Sequence, residues 1–480
     1  MQRMDTTLSS DALHPFHDRL ARANLADAIL YPGMRAGRQP VHTCYGGAHL
    51  FTADTPTKLG ALARQSLSDY APDASTLATV FELDTDVARA VYPALVEKLA
   101  REPIEDYRID FEDGYGLRSD AEEDGHAHAA GRAVAAALTA GKMPPFWGLR
   151  IKTLSEELRQ RSIRTLDIFV TRLVTDVRLK PDATQDLQLK PDATQDLQPT
   201  QDLQPHVAQG SNNPHLFAVT LPKITSTEQV AVLSEILDLL EAKLNLKQGT
   251  MGIELMIESP RAILDASGRV ALPDLVQAAG RRCLGAHFGP YDYTASLDIT
   301  AAHQRLDHPT SVFARLVMQA ALSGTGIQLA DGPTTIMPVA KHRPATQPLT
   351  AEQREENRIA IHQAWKLHYQ NVRRGLANGF YQSWDLHPAQ LPARYAAVYT
   401  FFREGLDSTA QRLRAFMAQS AQASRVGNVF DDAATGQGLL NYFLRAVGCG
   451  AITESEALQH GGLTLAELRT RSFLQILQNR

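Results

Sequence analysis

The sequence predicts an α/β chain: a (β/α)8 TIM barrel with an N-terminal arm and a helical C-terminal region. Three observations predict it. Short apolar runs alternate with stretches of helical periodicity, the pattern of βαβ units and a parallel sheet. Polar motifs recur directly after the apolar runs, and parallel barrels gather their catalytic groups at the C-terminal ends of strands. The length, 480 residues, accommodates one barrel of about 250 residues with additions.

The candidate strands are residues 41–45, 107–111, 146–151, 216–221, 252–257, 282–287, 326–329 and 380–386. Helical patterns fill the gaps at 86–101, 127–139, 155–174, 227–244 and 310–322. Eight strands suffice to close a barrel. A long polar helical pattern over 350–377 stops at Asn378-Gly379. These elements divide the chain into an arm (1–38), a barrel domain (39–392) and a helical C-terminal region (393–480). One segment breaks the alternation. LKPDATQDLQ at 179–188 is repeated at 189–198, and TQDLQP follows at 200–205. A ten-residue polar period cannot bury a core of its own, so 179–210 reads as a low-complexity insertion before the fourth strand.

Composition excludes several classes of function. Hydrophobic residues make up 44% and charged residues 21%, values of a soluble globular chain. The net charge of −5 offers no global basic field, so nucleic acid is not an expected partner. No apolar run approaches the roughly 18 residues of a membrane span. The N-terminal MQRMDTTLSSDALH lacks the pattern of a secretory signal. Cys44, Cys283 and Cys449 are far apart and odd in number, which argues against a disulfide framework or a cysteine zinc site. By elimination the expectation is a cytoplasmic enzyme.

The chemistry-bearing motifs follow the strands. After the second comes Asp110-Phe111-Glu112-Asp113-Gly114-Tyr115-Gly116, three carboxylates that repel unless cations or donors stand nearby; the plain alternative is a solvated acidic turn. The third strand carries Arg150 among apolar neighbours. There it must meet an anion, either a bound carboxylate or a structural partner such as Asp110 or Glu112. Lys223 ends the fourth strand. Glu258 follows the fifth and Asp292 the sixth, 34 residues apart, which is one βαβ step and puts them on adjacent loops at one end of the barrel. Two carboxylates plus waters and a chelating substrate make a good Mg2+ shell. After the eighth strand stand Asp385, His387, Pro388 and Gln390, with His387 either a proton carrier or a structural cap. His126 and His128 read as surface residues, and Asp431 or Asp432 as a helix N-cap or first-turn acid.

In this order the motifs resemble the HpcH/HpaI aldolase and citrate lyase beta-subunit family. That family lies in the phosphoenolpyruvate/pyruvate-binding barrel superfamily, which includes malate synthase. The matching segments are Asp110–Asp113, Arg150-Ile151-Lys152, Leu221-Pro222-Lys223, Ile257-Glu258-Ser259-Pro260, Gly289–Asp292, Asp331-Gly332 and His387-Pro388-Ala389-Gln390. The resemblance implies Mg2+, or Mn2+ in its place, on Glu258 and Asp292. It implies Arg150 on the substrate carboxylate and developing enolate, with Glu112 and Asp113 orienting Arg150 or a water on the cation. Gly289 would belong to backbone that holds the substrate carboxylate. Asp113, His387 and a water are the candidate proton carriers. The sequence departs from the citrate lyase branch after the first strand (Val41 to Phe51, VHTCYGGAHLF), at Lys152 where that branch has Asn, and in length. It therefore resembles a longer, aldolase-like branch.

The implied activity is a Mg2+-dependent carbon–carbon lyase or aldolase working through the enolate of a 2-oxo acid or an acyl-CoA thioester. Phosphoenolpyruvate-linked phosphoryl transfer and a non-catalytic metabolite-binding role are the alternatives. A homo-oligomer is expected, with the C-terminal helices covering a neighbour's barrel mouth.

Overall fold

The computed structural model describes residues 7–35, 37–178, 217–344, 347–418, 424–426, 429–431 and 433–479. The repeat segment 179–210 and Asp432 lie outside these residues.

Eight parallel strands close a barrel: β1 (His42–Gly47), β2 (Asp106–Asp110), β3 (Phe146–Arg150), β4 (Phe217–Leu221), β5 (Met251–Ile257), β6 (Cys283–Phe288), β7 (Gln328–Asp331) and β8 (Gln382–Asp385). β8 returns to β1 through the pairs His42–Ser383, Thr43–Trp384 and Cys44–Asp385. All eight expected strands are present within two residues of their expected limits. The largest displacement is at β7, expected from Gly326. Gly326 has φ 77° and belongs to the preceding turn, so the ladder starts at Gln328.

Helix α1 (Ser10–Leu30) precedes the barrel, and its residues 11–30 other than Leu13 are exposed. The β1–β2 connection carries α2 (Thr55–Tyr70), α3 (Ala74–Phe81) and α4 (Thr85–Arg101). α5 (Asp120–Thr139), α6 (Arg159–Arg178) and α7 (Thr227–Lys243) follow β2, β3 and β4. The short α8 (Pro260–Ile263) and α9 (Leu272–Ala279) follow β5, and α10 (Pro290–Ala295) and α11 (Pro309–Leu322) follow β6. α12 (Ala351–Ala377) follows β7. It starts on a Thr350/Gln353 capping box and stops at Asn378, with Gly379 left-handed beyond it. α13 (Leu391–Ala418) follows β8.

The C-terminal region was expected to be helical throughout. α14 (Ala433–Gly448), α15 (Glu454–Gly461), α16 (Leu465–Thr470) and α17 (Phe473–Asn479) are helices, but an antiparallel pair, β9 (Ser424–Val426) and β10 (Val429–Asp431), precedes them. Of the two candidates for a cap or first-turn acid, Asp431 lies in a strand and Asp432 falls outside the described residues. Two three-residue strands are too short to leave a readable alternation.

The interior of the barrel is charged. β2 and β5 are not neighbours in the sheet, yet Arg108 forks onto Glu254 at 2.9 and 2.8 Å. That contact can only cross the barrel interior. Asp106 pairs with the same guanidinium, and His287 Nε2 and Thr220 Oγ1 complete the Glu254 carboxylate at 2.8 Å each. Alternation then sends Asp110 and Arg150 inward one level nearer the C-terminal mouth. The outward residues Tyr107, Ile109, Trp147, Leu149 and Val219 are buried between strands and helices.

A second buried cluster joins β1 to β8. Asp385 accepts from His42 Nδ1 (2.8 Å) and from Arg394 of α13 (3.1 and 2.9 Å), with His368 of α12 at 2.8 Å. The Glu105 backbone N–H donates to His42 Nε2 at 2.9 Å, so Nδ1 carries the proton toward Asp385. This knot pins two long helices to the strand pair that closes the barrel. The three cysteines are buried and free, and no helix among the described residues is long and apolar enough to cross a membrane.

Candidate active site

The C-terminal ends of β2 to β6 deliver one cluster of charges. Arg150 is its centre. Its Nε and Nη2 hold Asp110 at 2.7 and 2.6 Å, a two-point fork, and its Nη1 lies 3.2 Å from Asp113 and 3.3 Å from Glu112. The ring of Tyr45 faces the guanidinium from the level below, 4.9 Å from ring centre, and its hydroxyl lies 3.4 Å from His287. The turn after β2 is shaped for this. The Asp110 carboxylate accepts from the N–H groups of Glu112 (3.0 Å) and Gly114 (2.7 Å), and a Cβ at Gly114 would stand 2.6 Å from that carboxylate. Of the two readings of the β2 turn, a solvated one fails for Glu112, which is half-buried, while Asp113 stays 55% exposed.

Lys223 closes the cluster from β4. Its ammonium pairs with Glu112 and lies 3.2 Å from Asp113 and 3.8 Å from Asp292. Its backbone N–H donates to Glu258 Oε1 at 2.7 Å. Glu258 is 2% exposed, and burial together with the charge of Asp292 pushes its carboxyl up to about 8. Asp292, in the first turn of α10, is 42% exposed. Gly289 sits against Glu258: an added Cβ would lie 2.5 Å from its Cβ and 2.6 Å from Oε2. The Gly289 N–H is committed to the Ile257 carbonyl at 3.0 Å, so its part in the site is this close approach and not donation to a ligand.

The neighbouring pair Glu112 and Asp113 divides its protons unequally. Burial, opposed by Arg150, pushes Glu112 up to about 7. Burial would raise Asp113 too, but its hydrogen bond with Glu112 and the charges of Arg150 and Lys223 outweigh that and lower it. The cluster contains five carboxyls (Asp110, Glu112, Asp113, Glu258, Asp292) and two cations (Arg150, Lys223), an acidic surplus at the barrel mouth.

Of the residues expected from the sequence, Arg150, Glu112, Asp113, Glu258, Asp292 and Gly289 come together here. No hydrogen bond or ion pair ties His387 to them. It caps the turn Pro388–Gln390, with Nδ1 accepting from Ala389 N–H at 3.1 Å, and burial lowers its pKa. Asp331 of the Asp-Gly step is buried on Arg315 at 2.6 Å. Lys152 donates to the Phe111 carbonyl at 2.7 Å and lies 3.3 Å from Glu123, holding the β2 turn against α5. His126, expected on the surface, is partly buried with Nδ1 2.7 Å from the Tyr115 hydroxyl, because the β2 turn folds back over the start of α5; His128 is exposed. Tyr45 was not expected here; Asp110 was expected as one structural partner open to Arg150, and Lys223 at the end of the fourth strand without an assigned role.

Among the described residues, His42, Cys44 and Asp385 bring three potential ligand atoms within 4.8 Å of one another. Both His42 nitrogens are already engaged, and Arg394 forks onto Asp385. A guanidinium on the shared carboxylate disfavours a cation there. Glu258 and Asp292 suit one better: two carboxyls whose proximity raises one of them are relieved by a positive charge between them.

Residues 20–187 and 202–476 match a protein family described as Domain of unknown function (DUF6986). The chain belongs to that family. No curated protein matches this DUF6986 chain. Among solved structures it is similar to a citrate lyase from Burkholderia xenovorans LB400, with 18% identity over 89% of this chain and 98% of that one and a TM-score of 0.51. Two Haloferax volcanii malate synthase structures align less well. The lead(II) complex has 15% identity, coverage of 82% and 95%, and TM-score 0.39. The native enzyme at 3 mM glyoxylate has 13% identity, coverage of 92% and 98%, and TM-score 0.43. The citrate lyase likeness, at that identity, is one of fold.

Proposed function

We propose that this DUF6986 chain is a Mg2+-dependent carbon–carbon lyase or aldolase acting through the enolate of a 2-oxo acid or acyl thioester. The single observation that carries the reading is the placement of Glu258 and Asp292: a buried carboxyl and a partly exposed one, on the adjacent loops after β5 and β6, both reached by Lys223 at the mouth of the barrel. Glu258 and Asp292 would hold the cation. Mg2+, when bound, supplies Lewis-acid stabilisation of an enolate. The citrate lyase that shares the barrel fold gives the reading a precedent by name.

The chain's own residues do the rest. Arg150, fixed by Asp110 and floored by Tyr45, presents positive charge where negative charge develops, with no reorganisation needed. One Nη2 N–H is left outside these contacts and suits a substrate carboxylate oxygen. Asp113, partly exposed beside Arg150, is the candidate positioned to accept a proton, and its lowered pKa makes it a weak base. His387 spends its Nδ1 lone pair on Ala389, so its neutral ring offers only an Nε2–H and serves, at most, as a donor.

Enolate formation can be read without knowing the second substrate. In deuterated water with Mg2+, the methyl protons of either pyruvate or acetyl-coenzyme A are expected to exchange, and Glu258→Gln is expected to abolish the exchange. Exchange that persists undiminished in Glu258→Gln contradicts the carboxylate assignment. No exchange of either compound moves the reading to another donor or another chemistry.

A further inference from the structure

Lys223 has φ 51°, in the left-handed region, where a non-glycine residue is strained and glycine is not. The position therefore holds a strained residue whose side chain and backbone both reach the acidic cluster. The backbone N–H aims Glu258 at 2.7 Å. The ammonium sits against Glu112, at 3.2 Å from Asp113, and more loosely, at 3.8 Å, from Asp292. Among the described residues, Lys223 is the cationic group within 4.0 Å of Asp292. A lysine head is a compact point charge on a flexible four-carbon stem, so it can leave Asp292 while keeping Glu112 and Asp113.

We infer that Lys223 is a tethered counter-ion that competes with the divalent cation for Asp292, so that the cation binds by displacing the ammonium toward Glu112 and Asp113. This rests on the reading of Glu258 and Asp292 as the cation's carboxylates. It goes beyond that reading in assigning Lys223 a positioning role that tunes cation affinity: the ammonium keeps the cluster ordered before the cation arrives and weakens its hold afterwards.

The test is direct Mn2+ binding, followed by the loss of the free-ion electron paramagnetic resonance signal, with no substrate present. An opposite charge within about 4–6 Å shifts a carboxylate's proton affinity by about 1–3 pKa units. By the same measure, Lys223→Met is expected to bind Mn2+ at least about tenfold more tightly than wild type. Lys223→Arg keeps the charge and is expected to stay within about threefold of wild type. Lys223→Gln repeats the neutral substitution should the methionine variant fail to fold, with circular dichroism as the check on each. Unchanged or weaker binding in both neutral variants overturns the competition. Glu258→Gln separates the two levels of argument. If wild type binds Mn2+ and Glu258→Gln binds it equally well, the carboxylate reading fails and the inference with it. If Glu258→Gln loses binding while the neutral Lys223 variants gain none, only the inference about Lys223 fails.

Discussion

Arg150→Lys is expected to lower the rate of methyl-proton exchange by about a hundred- to a thousandfold, the usual effect of removing one preorganised donor from a developing oxyanion. The charge survives in this variant, but the fork does not. A lysine cannot hold Asp110 through two parallel bonds and still offer donors to a substrate, because its three protons diverge from one atom. Asp110 would keep its bonds from Glu112 and Gly114 N–H and lose the pair at 2.7 and 2.6 Å. Arg150→Met should go further and destabilise the fold. It leaves Asp110 buried without its cation, and breaking a buried pair from one side typically costs about 3–5 kcal/mol. Urea unfolding of both variants beside the exchange rate separates the two effects. A Lys variant with wild-type exchange would remove Arg150 from the chemistry.

Asp385→Asn is expected to be the most destabilising of the conservative substitutions, by about 3–5 kcal/mol at neutral pH. The amide keeps the shape and removes the charge that Arg394, His42 and His368 surround. Burial would raise the Asp385 carboxyl, but Arg394 and the two histidines hold it well below the usual carboxylate range. A depressed folded-state pKa means the unfolded chain binds the proton more readily. The stabilisation is then complete above the unfolded value, about 3.9, and is lost as pH falls through the lower folded value. The stability gap between wild type and Asp385→Asn should therefore stay constant from about pH 7 to 5 and narrow only below about pH 4. Denaturant midpoints across that range test it; a gap that closes between pH 7 and 5 would show that the histidines, and not Asp385, set the energetics.

The barrel was legible because its evidence is local. Each strand is a run of four to seven residues between helical patterns, and the polar motifs mark the C-terminal ends. Glu258 and Asp292 were legible for the same reason, as one βαβ step fixes both the loop and the end of the barrel. What was missed depends on contacts across the barrel or on backbone conformation. Nothing in Leu221-Pro222-Lys223 announces that Lys223 is left-handed, or that its ammonium reaches Glu112, 111 positions earlier. Asp110 was legible as one structural partner open to Arg150, but not as the one that takes both bonds of the fork, which its inward position at the end of β2 decides. The knot on Asp385 joins residues 343 apart. His387 shows the converse. A histidine before proline at a strand end suits a proton carrier, but the same Pro opens a short turn whose Ala389 N–H takes the imidazole.

Glu258 and Asp292 are proposed to hold a divalent cation at the barrel mouth. Anomalous scattering from a crystal grown with Mn2+ tests this most directly. The expected result is a peak in contact with a carboxylate oxygen of each of the two residues, with the Lys223 ammonium moved away from Asp292. A peak instead among His42, Cys44 and Asp385, or one that touches neither Glu258 nor Asp292, would contradict it.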